Sequence, residues 1–218
     1  MSLRDPDRSP LGEVKLKTCG NLFRISLLKR FWCAWDSSPL ERPYVGKLML
    51  HKRLRRRQPP VAEQEGVRIG IHPDDPPVPV LAGVPRCVFG NFDGYVRALE
   101  IADSPNIGVC LCCGTWLEGG PLMGKSVVEA IRYFAAQRKL FKIHFRNVNA
   151  PLPHFVETFV DDGYMDMYQV MKTLAEVRFD GIAIPDHVPL MAGDPKAGYA
   201  YTVGYMKSLL ARAQAETS

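Results

Sequence analysis

Four short apolar runs in the second two-thirds of the chain each end in a residue able to bind a metal ion. They are Val67-Arg68-Ile69-Gly70-Ile71-His72, Gly108-Val109-Cys110-Leu111-Cys112-Cys113, Phe141-Lys142-Ile143-His144 and Gly181-Ile182-Ala183-Ile184-Pro185-Asp186. The steps from His72 to Cys112, to His144 and to Asp186 are 40, 32 and 42 residues, about one strand-plus-helix unit each. Repetition of that unit predicts a parallel sheet built from right-handed crossovers. Ligands at the ends of successive parallel strands converge on one point, the mouth of a β/α barrel, where such folds keep their chemistry.

The segments between the runs carry helical patterns. Val61-Ala62-Glu63-Gln64-Glu65-Gly66 predicts a helix end with Gly66 in the C-terminal cap. His72-Pro73-Asp74-Asp75-Pro76-Pro77 predicts a loop, being too rich in proline for anything else. A short strand is expected at Arg86-Cys87-Val88-Phe89, then a helix with Tyr95, Leu99 and Ile101 on its apolar side. A glycine-rich loop follows Cys113, and helices are expected over 127–137, 165–177 and about 201–215, with strands at 142–148 and 181–185. The expected fold is α/β: the later half of a TIM-type barrel, 59–218, behind an irregular basic N-terminal segment, 1–58.

Charge supports that division. Residues 1–65 hold 14 Lys and Arg against 7 Asp and Glu, a net +7, and the remainder is net −2. The break falls near Pro59-Pro60, after the basic run His51-Lys52-Arg53-Leu54-Arg55-Arg56-Arg57. Such a run can bind nucleic acid or an anionic surface, but no aromatic side chains alternate with the arginines to stack on bases. A solvated leader is the expectation, with one apolar helix over 23–35. At 218 residues the chain is long enough for one core but short of the about 250 of a typical barrel. No apolar stretch reaches the roughly 18 residues of a membrane span, and the N-terminus lacks the order of a signal peptide. A cytoplasmic protein without a membrane partner is expected. Cys110, Cys112 and Cys113 share one strand, a poor arrangement for mutual bridging, so free thiols are expected.

One thiolate, two imidazoles and one carboxylate suit a borderline divalent transition ion, and open positions on that ion would make it a Lewis acid. Strand alternation puts Cys110 and Cys112 on one face and Cys113 on the other. Cys112 lies nearer the C-terminal end, which makes it the expected ligand and Cys110 a core residue. Arg146 follows His144 closely. Its fork can hold a substrate carboxylate, or it can pair with Asp74, Asp75 or Asp186 for structure alone.

Several longer words in the sequence are familiar. Gly70-Ile71-His72-Pro73-Asp74-Asp75-Pro76-Pro77, Leu111-Cys112-Cys113-Gly114-Thr115, His144-Phe145-Arg146-Asn147-Val148, Phe155-Val156-Glu157, Gly163-Tyr164-Met165-Asp166-Met167 and Pro185-Asp186-His187 resemble, in order, the motifs of the mannonate dehydratase family. The resemblance runs from about residue 61 to the C-terminus. It implies a xylose-isomerase-like barrel, a Mn2+ or Fe2+ cofactor, and a hydro-lyase that dehydrates D-mannonate to 2-keto-3-deoxy-D-gluconate in sugar-acid (glucuronate) catabolism.

By the same resemblance, His72, Cys112, His144 and Asp186 are the metal ligands, and Arg146, Asn147 and Glu157 contact substrate. His187 and Tyr199 are the candidates for proton transfer. Two positions depart from the family: Val160 stands where His is usual, and Val188-Pro189 follow the Asp-His pair where Gly-Arg is usual. The family also places about half a barrel ahead of the His-Pro-Asp-Asp motif, and residues 1–58 do not resemble it. The resemblance therefore implies a small sugar acid as partner, with a homo-oligomer or another chain supplying the missing half. The alternatives are a sugar isomerase or epimerase on the same fold, or an inactive truncated homologue with a nucleic-acid-binding leader.

Overall fold

The computed structural model describes residues 59–85, 89–194 and 196–217. The expected helix over 23–35, the basic run, and Arg86 to Val88 of the expected short strand lie outside the described residues. The chain begins its described part with α1 (Pro59–Gln64), after which Gly66 takes a positive φ of 61° and turns the backbone into β1 (Ile69–Ile71). A small hairpin follows, β2 (Val80–Leu81) against β3 (Val84–Pro85), then α2 (Phe92–Ala102) and β4 (Ile107–Cys112). Next come α3 (Cys113–Gly119), a 3-10 turn over Gly120–Met123, α4 (Val127–Ala136) and β5 (Leu140–His144). A second hairpin pairs β6 (Asn147–Val148) with β7 (Glu157–Thr158) before α5 (Met167–Glu176), β8 (Ile182–Ile184) and α6 (Ala197–Thr217).

Strands β1, β4, β5 and β8 form one four-stranded sheet in that order, and every neighbouring pair is parallel. The expected α/β architecture of parallel strands and helical crossovers is what the chain adopts. Two elements differ from the sequence reading. The glycine-rich segment after Cys112 is the helix α3, with all seven residues buried. The strand expected over 142–148 stops at His144, and Asn147–Val148 turn away into their own hairpin.

The helices form for local reasons that also decide which face they bury. Ser126 and Glu129 close a reciprocal capping box at the start of α4, satisfying two backbone N–H groups that a helix end leaves open. Val127, Ala130, Ile131 and Phe134 then fall on one stripe and are buried. Asn91 caps α2 by accepting from the Gly94 N–H at 2.9 Å, and Phe92, Tyr95, Ala98, Leu99 and Ala102 repeat the stripe. Both stripes pack with Val109, Leu111 and Ile143 from one face of the sheet. Each large side chain buried here stabilises the fold by about 1.5–3 kcal/mol. Alternation leaves Cys110, Cys112, Lys142 and His144 on the other face, outside that apolar cluster. No helix among the described residues is long and apolar enough to cross a membrane.

Candidate metal centre

The backbone ladder itself brings the first two ligand residues together. Cys112 is in register with His144 across β4 and β5, and His144 with Ile184 across β5 and β8. In-register neighbours on adjacent strands lie about 4.8 Å apart. His72 is the first residue beyond β1, and Asp186 lies two beyond β8. One ligand atom from each of His72, Cys112, His144 and Asp186 lies within 4.8 Å of the others. Metal-ligand bonds of about 2.0–2.3 Å put ligand atoms roughly 3–4 Å apart, so the group matches the span of one ion. His72 Nε2 lies 3.1 Å from His144 Nδ1, and His144 Nδ1 lies 3.3 Å from Asp186 Oδ2. The Cys112 thiol approaches Asp186 Oδ2 at 3.8 Å.

The electrostatics agree with that use. Burial, and then the neighbouring His144, lower the pKa of His72. His72 Nδ1 sits 2.8 Å from the Pro73 carbonyl; a proton donated there leaves the Nε2 lone pair facing the cluster. Burial alone would lower His144, but Asp186 and Cys112 hold its proton and raise it to about 9. Against its own burial, Asp186 is held down at about 2, chiefly by His144. The ring nitrogen that His144 turns to His72 and Asp186 is Nδ1, while its Nε2 is buried with no hydrogen-bond partner among the described residues. The other thiols differ: burial pushes Cys110 up to about 12 and Cys113 well above its ordinary range.

Arg146 stands beside the cluster with a side chain only 1% exposed. Its Nε donates to Glu157 at 2.8 Å and its Nη1 to Asp75 at 2.9 Å, while Nη2 contacts both Glu118 and Glu157. Nη1 also lies 3.6 Å from Cys112 Sγ. The guanidinium is engaged on every edge by the chain itself, the pairing with Asp75 included. The reason is burial: an arginine taken from water must satisfy its charge and five N–H groups locally. Asn147 is likewise turned inward. Its amide donates to the Val160 and Met165 carbonyls and accepts from the Val148 and Met165 N–H groups, contacts that pin the loop.

The remaining candidates lie nearer solvent. His187 has a side chain 54% exposed, with Nδ1 3.0 Å from Glu157 Oε1 and Nε2 4.0 Å from Asp186 Oδ2. Glu157 thus joins Arg146 to His187. Tyr199 lies in the first turn of α6, exposed, and has no hydrogen bond to the cluster among the described residues. Sequence reasoning passed over Glu118, which is fully buried against Arg146, and Thr115, whose hydroxyl donates to Asp75 at 3.2 Å. Glu118 is the one charged residue in Cys113–Gly119, and reading that segment as a helix would have singled it out.

Comparison with known proteins agrees with this geometry. The family model described as D-mannonate dehydratase (UxuA) matches residues 52–214. Mannonate dehydratase 2 of Halalkalibacterium halodurans is 30% identical over 181 residues, covering 76% of this chain and 51% of that protein. Mannonate dehydratase of Thermotoga neapolitana is 35% identical over 144 residues, covering 64% of this chain and 39% of its own length. The chain therefore spans about half or less of these relatives. The crystal structure of mannonate dehydratase from Streptococcus suis superposes with a TM-score of 0.64 at 30% identity, covering 72% of this chain and 46% of that one. A xylose isomerase domain protein from Alicyclobacillus acidocaldarius shares the fold at 15% identity and a TM-score of 0.59, covering 84% of this chain and 63% of that one. On its sequence match and the structures it resembles, the chain belongs to the D-mannonate dehydratase family.

Proposed function

We propose that this chain carries the metal-binding side of a mannonate dehydratase, a hydro-lyase that converts D-mannonate to 2-keto-3-deoxy-D-gluconate and water. The observation that carries the reading is the convergence of His72, Cys112, His144 and Asp186 within 4.8 Å at the C-terminal end of the parallel sheet. The donor set fits Mn2+ or Fe2+, which when bound would act as a Lewis acid toward the substrate's carboxylate end.

The chain's own residues would then move protons. The reaction removes a proton from C2 and hydroxide from C3, and the resulting enol becomes the 2-keto acid by taking a proton at C3. His187 is the proposed base, because Glu157 holds its Nδ1 and leaves Nε2 toward the cluster; orientation of one ring nitrogen by a carboxylate is how such bases are set. Tyr199 is proposed as the group that assists the leaving hydroxyl. Arg146 is proposed to act by ordering Cys112 and Glu157, without touching substrate.

The test is to load purified protein with Mn2+ or Fe2+, determine the bound metal, and incubate it with D-mannonate and a panel of aldonates and aldoses. About one ion per chain and formation of a 2-keto-3-deoxy acid are expected. Isomerised sugar without water loss would replace the dehydratase reading with an isomerase, and absence of bound metal would remove the site.

A further inference from the structure

We propose that Glu118 is a positioning residue of the metal centre: it grips Nη2 of Arg146 from within α3 and so aims Nη1 at the Cys112 sulfur. The proposal rests on the reading of His72, Cys112, His144 and Asp186 as metal ligands. Glu118 follows Cys112 by six residues and touches none of the ligands, yet its side chain is 0% exposed and in direct contact with a guanidinium that is 1% exposed.

A guanidinium is planar, so the full set of acceptors on Nε and Nη2 decides how Nη1 is aimed. Glu157 holds the Nε edge and shares Nη2 with Glu118, and Asp75 receives Nη1. Besides Asp75, Nη1 faces Thr115 Oγ1 at 3.5 Å and Cys112 Sγ at 3.6 Å, a sulfur that also accepts the Thr115 N–H at 3.5 Å. Gly114 makes the approach possible, since a Cβ there would collide with the Arg146 stem at Cγ, Cδ and Nε. Without Glu118, one buried N–H of Nη2 loses its acceptor, and the guanidinium, held only by Glu157 and Asp75, tilts toward those two carboxylates and off the sulfur. Donors to a metal-bound ligand are worth about 10–100-fold in metal affinity.

The chemistry of the pair says how Glu118 does this. Asp75 lies in hydrogen-bonding contact with the Glu118 carboxyl, and Glu118 Oε2 is buried without an N–H or hydroxyl donor. Two buried carboxyls side by side share one proton more readily than both ionise. Burial, and then Asp75, outweigh the pull of Arg146 and push Glu118 up to about 8, so the proton resides on Glu118. Its reach therefore matters more than its charge, and Gln, which has the same reach and a donor for Asp75, is the faithful replacement. Asp keeps the acid but falls one methylene short.

The experiment uses Co2+ as probe, read by the thiolate-to-cobalt absorption band and by titration, on folded protein verified by thermal melting. Glu118→Gln is expected to bind Co2+ within about twofold of the unaltered protein with the band in place, whereas Glu118→Asp weakens binding about tenfold and shifts the band. Glu118→Ala must show the same loss and serves where the shorter acid does not fold. A Gln variant that fails to fold or loses tenfold overturns the proposal, as does unchanged binding and an unmoved band in a folded Asp or Ala variant. Absence of Co2+ binding by the unaltered protein would instead overturn the metal reading beneath it.

Discussion

Replacing Arg146 by Met removes the guanidinium that pairs with Asp75, Glu118 and Glu157 and lies 3.9 Å from Asp186. Asp75 and Glu157 have side chains 25% and 29% exposed, while Glu118 is fully buried and Arg146 itself is 1% exposed. Removing one partner of a buried ion pair costs about 3–5 kcal/mol, because the partners stay buried without compensation. Water reaches Asp75 and Glu157 and screens part of that, and Glu118 already holds a proton, so the lower end, about 3 kcal/mol, applies. For a protein of this size about 1 kcal/mol moves Tm by about 2–4 °C, which gives a fall of about 6–12 °C at neutral pH. Melting followed by circular dichroism measures it.

The dependence on pH checks the cause. Asp75 is half-buried, and against that burial Arg146 holds it below its ordinary value. Its share of stability is present above the unfolded pKa of about 3.9 and is lost as pH falls through the depressed folded value. The gap between the variant and the unaltered protein therefore narrows as the solution is acidified below about pH 4. Arg146→Lys keeps the charge without the fork and falls between the two. A Met variant melting within about 2 °C of the unaltered protein at pH 7 would refute the reasoning, because it would mean that the carboxylates find full compensation without the guanidinium.

Other expectations are as direct. Cys112→Ser weakens metal binding by at least about tenfold while Cys110→Ser leaves it within about twofold, and isothermal titration that finds equal effects would remove Cys112 from the ligand set. Metal affinity rises with pH up to about 9, because the ion has to displace the proton that Asp186 and Cys112 hold on His144; a flat profile between pH 6 and 9 in a Mn2+ titration contradicts this. Phe134→Ala, at a ring fully buried among Phe92, Tyr95 and Tyr133, costs about 3–5 kcal/mol by denaturant melting without altering metal stoichiometry.

The parts legible in the sequence were those written in local periodicity. Val109, Leu111 and Ile143 alternate with Cys110, Cys112 and His144, and that alternation alone told which face bears apolar packing and which bears ligands. The helix expected over 127–137 is α4, whose stripe Val127, Ala130, Ile131 and Phe134 follows a Ser-Glu capping box. The failures have a common cause: they depend on residues distant in sequence. Gly114, Gly119 and Gly120 made α3 look like a loop, whereas burial of the whole segment and the Cys112 sulfur accepting from Thr115 N–H turn it into a helix. The closure of Glu118 and Glu157 on Arg146 was not legible, because they are 28 and 11 residues away and nothing local says that both will meet it. The last helix, expected from about 201, begins at Ala197.

The register of Cys112 with His144 separates two kinds of change that this fold can accept. The distance between those ligands is fixed by the hydrogen-bond ladder of two central strands, so neither insertion nor shortening in the segments that follow β5 and β8 alters it. His187, Glu157 and the exposed stretch from Leu190 to Asp194 lie on those segments. Sequence drift there can reshape what the mouth of the sheet accepts while the metal ligands stay where the strands put them; the departure at Val188-Pro189 falls on one of those segments, whereas the departure at Val160 is buried in the apolar core.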